Sequence, residues 1–383
     1  MLRKIFKTIG LVLLVIIVCL NGYVLLSGKT FFYKALVYNF ADIDDYKIFD
    51  NRILHKSKSP QPWPISSKAN QFKLSNKLQN TLDTLKTFAF LVIKNDSILY
   101  ESYSDGYGPS SFSNSFSVAK SVTSILIGVA LKEGKIKSLD QPVADFLPSF
   151  KEGSKEKVTI KHLLTMSSGL NWDESYSSPF SMTTEAYYGH DLPALIDKLR
   201  AVDEPGKRWK YLSGNTEVLA MILEKATGIR VGEYAEEKLW QPLGMENDAL
   251  WSTDKANGTE KAYCCINSNA RDFAKIGKLY LHYGNWNGTQ IVDSQYVNAS
   301  VAPTLLEDPN SADPVDFYGY QWWMIPEYKD FKVFYARGIL GQYIIVLPEQ
   351  NIVIVRLGKT RGGKKKEQQV EVFTFIDEVL SAI

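Results

Sequence analysis

The sequence predicts an α/β protein: one antiparallel sheet of about five strands flanked by helices, an all-α lobe, and an N-terminal transmembrane helix. Three observations lead there. Strand-like runs occur near both ends of the body, helical periodicity fills the stretch between them, and an apolar run opens the chain.

Ile9 to Leu26 is apolar apart from Gly10, Cys19, Asn21, Gly22 and Tyr23, which is about the length needed to cross a bilayer as a helix. Arg3, Lys4 and Lys7 precede it with no acidic residue nearby, so the positive-inside rule keeps residues 1–8 in the cytoplasm and places everything after residue 28 outside. The expectation is an uncleaved anchor over residues 9–28. A cleaved signal peptide is the alternative, although no Ala-x-Ala site follows. Residues 29–71 read as a spacer lying along the main body, stiffened by Pro60, Pro62 and Pro64.

The main body is expected over residues 72–383, with an α/β part at 72–139 and 311–383 and a helical lobe at 140–310. Phe88 to Lys94 and Ile98 to Ser104, joined by Asn95-Asp96-Ser97, read as a β-hairpin. Val118, Val122, Ile125, Leu126 and Val129 mark one face of a helix that Gly134 ends. Phe331 to Tyr335, Gln342 to Leu347 and Ile352 to Leu357 read as three strands, and Gln368 to Ile383 as a closing helix. A cleft between the two lobes is the natural place for a site.

Composition narrows the chemistry. The chain has 383 residues with 44 Lys+Arg against 42 Asp+Glu. Three of the basic residues lie in the first 28, so the body is close to neutral, which excludes a nucleic-acid footprint. Cys264 and Cys265 are adjacent and are not expected to bridge, and Cys19 lies in the apolar run. His55, His162, His190 and His282 are scattered without metal-binding spacing, so neither metal nor cofactor is expected.

There is no Gly-x-Ser-x-Gly elbow. There is Ser117-Val118-Ala119-Lys120, which puts hydroxyl and amine on one face of a helix. Ser-x-x-Lys also occurs at Ser154/Lys157 and Ser252/Lys255, but in polar surroundings that read as solvated turns. Only Ser117 begins a strongly apolar helix, where a lysine would be desolvated and so become available as a base. The alternative is that Ser117 caps the helix while Lys120 reaches solvent. Further on, Tyr211, Ser213 and Asn215 cluster at the start of a helix closed by Gly228, where a tyrosine beside a lysine can relay a proton. Finally, Ala336-Arg337-Gly338-Ile339 lies at a strand edge, where glycine allows close approach and a backbone N–H can join that of Ser117 in an oxyanion hole.

Taken in order, these three motifs resemble those of the serine β-lactamase and penicillin-binding-protein-like hydrolases. The form is nearest the class C branch with its esterases and 6-aminohexanoate-dimer hydrolases. His162 to Leu170, Arg271 to Gly277 and Tyr318 to Trp323 resemble connecting stretches of the same family. The resemblance implies a β-lactamase/transpeptidase-like fold. It implies Ser117 as nucleophile, Lys120 and Tyr211 as general base and acid, and an oxyanion hole from the N–H groups of Ser117 and Ile339. It also implies substrate contacts from Ser213, Asn215, Gly338 and Tyr176. The third motif lacks the usual Lys or His. Ala336 cannot replace it, and strand alternation should turn Arg337 away. True β-lactamase activity is therefore not expected, and the small-molecule substrate should be an ester or short linear amide.

Two other readings compete. A penicillin-binding sensor would be acylated without turning over. A Ser/Lys signal peptidase would leave the tyrosine motif unexplained and would place its serine nearer the anchor.

Overall fold

The computed structural model describes residues 2–71, 73–326 and 328–383. Met1 and Phe72, the first residues of the expected cytoplasmic segment and main body, lie outside the described residues, as does Glu327.

The central sheet has six antiparallel strands, one more than expected. Their order is Ser97–Tyr103, Thr87–Lys94, Ile352–Gly358, Gln342–Leu347, Val333–Gly338 and Trp323–Ile325. The extra strand is Trp323–Ile325, which pairs with Val333–Gly338 through Trp323 opposite Tyr335. The expected strand at Phe331 to Tyr335 thus lies later, at Val333–Gly338, because Gly338 continues the ladder opposite Gln342. A second sheet joins Asn51–Leu54, Ala249–Ser252, Ile266–Ser268 and Ser113–Asn114. The stretch read as a spacer therefore supplies both a strand, Asn51–Leu54, and a short helix, Phe31–Tyr38.

Strand alternation sorts the core into two layers. Ala89, Leu91, Phe334, Ala336, Ile344 and Val353 face the layer that holds the buried helix Val118–Lys132. The helix Ala270–Leu281, inside the stretch assigned to the helical lobe, packs on the same face; a side chain on its Gly277 would strike Val353 and Ile344. Phe90, Val92, Tyr335, Tyr343 and Ile345 face the other layer with Val372, Phe375 and Ile376 of the closing helix Val370–Ala382. Burying both faces explains why these strands are continuous apolar runs rather than alternating ones.

The helix Leu2–Leu26 is long and apolar enough to be a membrane anchor or a signal sequence.

One cysteine expectation is overturned. Cys264 and Cys265 form a disulfide. Adjacent cysteines are disfavoured partners, but here Cys265 takes a left-handed backbone conformation, with φ of 73°. Both residues are buried, in the bend between Lys261 and the strand Ile266–Ser268.

Candidate active site

The short strand Ser113–Asn114 leads straight into the Ser117 helix. Phe116 between them sits in the left-handed region, with φ of 44°, which a bulky residue avoids unless its surroundings enforce it. They do: its N–H donates to Asn114 Oδ1 at 2.9 Å, and Ser115 N–H donates to Ile266 O at 2.7 Å. The turn delivers Ser117 to the N-cap position, yet its side chain makes no capping bond. Instead Ser117 Oγ accepts from Lys120 Nζ at 3.1 Å.

Lys120 is buried, and its Nζ also donates to the Tyr263 carbonyl at 2.7 Å. Burial pushes its pKa down to about 8, against the opposing pull of Glu174 and Glu217. A substantial fraction of the amine is therefore neutral near physiological pH and able to accept a proton. The Tyr263 carbonyl that fixes this amine is itself held in place. Glu217, buried in the helix Ser213–Thr227, accepts from the adjacent Ala262 N–H at 3.0 Å.

Tyr211 approaches from the opposite wall. Its ring centre lies 5.2 Å from Lys120 Nζ. Burial, followed by Glu174, raises its pKa, so the phenol keeps its proton. The ring is wedged against Trp323 and Tyr318, with centroids 5.6 and 6.1 Å away.

Glu174 is the residue that sequence reasoning passed over as part of a loop. Its carboxylate accepts from both Ser213 N–H and Ser213 Oγ at 2.6 Å, and from the Tyr176 hydroxyl at 2.6 Å. It thereby ties the Tyr176 loop to the start of the Ser213 helix, beside Tyr211. The sequence offered only an acid two residues before the tyrosine, a signal too weak to distinguish it from neighbouring Asp173.

Two cavities meet at Ser117. One, of about 410 Å³, is lined by Ser117, Tyr176, Ser213, Tyr263, Cys264 and Ile339 among others. The other, of about 120 Å³, holds Ser117, Tyr211, Arg337, Gly338, Ile339 and Arg361. The structure thus brings together Ser117, Lys120, Tyr211, Ser213, Tyr176, Gly338 and Ile339. Gly338 must lack a side chain, because a Cβ there would lie 2.3 Å from Ser115 O. That close approach seats the strand edge, and with it Ile339, against the turn that presents Ser117.

Two expectations need correction. Asn215 does not line either cavity. It is fully buried beneath the helix start, its Oδ1 accepting from Ser168 Oγ at 2.6 Å and its Nδ2 donating to Met166 Sδ at 3.4 Å. Side chains at i and i+4 share a helix face only inside the helix, and Tyr211 is separated from Ser213–Thr227 by Leu212, whose backbone is extended. Arg337 does oppose Ala336 across its strand, but the Arg337 face is the one that opens on the cleft. The Ala336 face is filled by the Ser117 helix. The Arg337 guanidinium carbon stacks 3.3 Å from the centre of the Trp323 ring, and Nη1 donates to Glu367 O at 2.6 Å. Among the described residues, neither Arg337 nor Arg361 forms a salt bridge with a carboxylate. The strand Trp323–Ile325, which the sequence reading lacked, is what creates this stacked position.

An α/β fold with paired helical layers and a buried Ser-x-x-Lys at the cleft fits the class of β-lactamase-fold hydrolases. The family described as Beta-lactamase matches residues 76–373, and the chain belongs to it. It is 29% identical over 296 residues to the 6-aminohexanoate-dimer hydrolase of Paenarthrobacter ureafaciens, covering 73% of this chain and 74% of that protein. It is 24% identical over 266 residues to the teichoic acid D-alanine hydrolase of Staphylococcus aureus strain MRSA252, covering 65% of this chain and 62% of that one. Among solved structures, one from Bacillus anthracis, provisionally assigned as a 6-aminohexanoate-dimer hydrolase, superposes with a TM-score of 0.76. It is 23% identical and covers 88% of this chain and 92% of that one.

Proposed function

We propose that the protein is a serine hydrolase that cleaves an ester or amide through an acyl-enzyme on Ser117. The observation that carries this reading is the contact of 3.1 Å between Ser117 Oγ and a Lys120 amine whose pKa burial has pushed down to about 8. A lysine with only a structural role would be costly to bury so thoroughly without a carboxylate at bonding distance.

In this reading neutral Lys120 takes the Ser117 proton as Oγ attacks the carbonyl carbon. The oxyanion is held by the N–H groups of Ser117 and Ile339. Tyr211, protonated, passes its proton to the leaving alkoxide or amine and is replenished from Lys120. Water then enters by the reverse proton path and frees the acid. Ser213 and Tyr176, both fixed by Glu174, border the substrate, and Gly338 lines the smaller cavity. Arg337 and Arg361 give one end of the cleft a positive character that suits an acyl or leaving group bearing a carboxylate. The two relatives are named for hydrolysis of a 6-aminohexanoate dimer and of teichoic acid D-alanine. They support the ester-or-amide reading over a β-lactam one. The anchor reading of the N-terminal helix places the site at the outer surface of the cytoplasmic membrane.

Labelling with a fluorophosphonate probe tests the assignment. Wild-type protein should be labelled and Ser117→Ala should not. Labelling that persists in Ser117→Ala would remove the serine from the mechanism, and a stable adduct without product release would favour the sensor reading.

A further inference from the structure

The larger cavity at Ser117 has an unexpected wall. Ala35, Leu36 and Phe40 line it, and they belong to the short helix Phe31–Tyr38 and the turn that follows. Only residues 27–30 separate this helix from the long apolar helix Leu2–Leu26, and Tyr33 donates back to Asn21 Oδ1 at 2.7 Å, tying the two together. The short helix is also docked on the catalytic body. Phe32 packs edge-on against Phe180 at 5.2 Å, and Tyr38 stacks on Tyr188 at 6.5 Å.

What this segment leaves outside is apolar. Leu36, Val37, Phe40 and Phe180 are each between 72% and 76% exposed, and Leu36 and Phe40 among them line the cavity. Residues 29–41 contain Lys29 and Lys34 and no acidic side chain. Four large apolar side chains exposed on the short helix, the turn after it and Phe180, which packs on Phe32, call for a partner. Continuity with a bilayer-length helix that ends four residues earlier says which: the lipid surface in which that helix is anchored. Apolar side chains would enter the acyl boundary and the two lysines would meet anionic headgroups.

We propose that the cavity opens at the bilayer surface and that the substrate is a membrane-held amphiphile. Its apolar part would lie against Leu36, Phe40 and Tyr188 while its ester or amide carbonyl reaches Ser117. The Ser117 Oγ–carbonyl carbon bond forms and the bond to the alcohol or amine breaks. That group departs with a proton, and water releases the acid. This substrate class rests on the hydrolase reading above and on the helix Leu2–Leu26 being retained as an anchor.

The test uses full-length protein reconstituted into phosphatidylglycerol/phosphatidylethanolamine vesicles. Turnover of vesicle-borne p-nitrophenyl laurate is compared with that of water-soluble p-nitrophenyl acetate. In the double variant Val37→Glu/Phe180→Glu, the laurate-to-acetate rate ratio should fall at least tenfold. A ratio within twofold of wild type would overturn the proposal while leaving the hydrolase intact. In a second measurement, an environment-sensitive NBD label is placed at Val37→Cys in a Cys19→Ser background. It should report a lipid environment, and a water-exposed signal, or burial that persists without vesicles, would overturn the membrane contact. If neither ester is turned over and no acyl-serine forms, the hydrolase reading itself has failed and the substrate class falls with it.

Discussion

Lys120 Nζ is shared between Ser117 Oγ at 3.1 Å and the Tyr263 carbonyl at 2.7 Å, so the amine that faces the serine hydroxyl is positioned from behind by backbone. With its pKa lowered to about 8 by burial, the amine is mainly charged below that pH and mainly neutral above it. In the proposed mechanism the neutral form is the base, so kcat/KM for a neutral ester should rise about tenfold per unit at low pH and level off above an apparent pKa near 8. Lys120→Arg, which stays charged, should lose about 10²–10⁴-fold across the range. A profile centred near pH 4–5 would instead point to a carboxylate base.

Tyr211→Phe removes one hydroxyl while keeping the ring that packs on Trp323 and Tyr318. The expected outcome is a fall in kcat of about 10²-fold with little change in melting temperature. The loss should be smaller for esters with good leaving groups such as p-nitrophenolate, which need no proton. Equal losses for good and poor leaving groups would deny Tyr211 the role of acid.

Arg337 is cationic, stacked on Trp323, and open to the cleft. Replacing it by Ala should raise KM for carboxylate-bearing esters about tenfold relative to their neutral analogues, the range of a hydrogen bond to a charged group. Steady-state kinetics on a matched pair of substrates decides this. An unchanged ratio would mean that the positive end of the cleft does not meet substrate.

Asn215 and Ser213 lie two residues apart and should behave differently. Asn215→Ala leaves buried Ser168 and Met166 without their partner, so it should cost about 1–3 kcal/mol of stability with KM little altered. Ser213→Ala removes one of the three hydrogen bonds that Glu174 accepts beside the cleft and should alter KM more than stability. Thermal melts and kinetics on the two variants separate these outcomes.

Much of the sheet was legible because buried strands and amphipathic helices have periods that sequence displays. The hairpin closes with Lys94 opposite Ser97, and the Ser117 helix ends just before Gly134 in its left-handed conformation. The Ser117–Lys120 pair was legible because i,i+3 spacing is local. Relations between distant segments were not. The strand Trp323–Ile325 is too short to show alternation, and without it the cleft side of Arg337 could not be assigned. Asn215 was misplaced because extended backbone before the helix turns Tyr211 through a different angle. The Cys264–Cys265 bridge depends on a left-handed residue that composition does not reveal.

The pairing of Thr87–Lys94 with Ile352–Gly358 places an early strand beside a late one in the middle of the sheet. During synthesis the early hairpin must therefore wait, with an apolar edge unpaired, until nearly the whole polypeptide has emerged. Nascent chains of this protein should thus depend on chaperone protection for most of their translation, and a premature stop shortly before Ile352 should yield aggregate rather than a smaller folded enzyme.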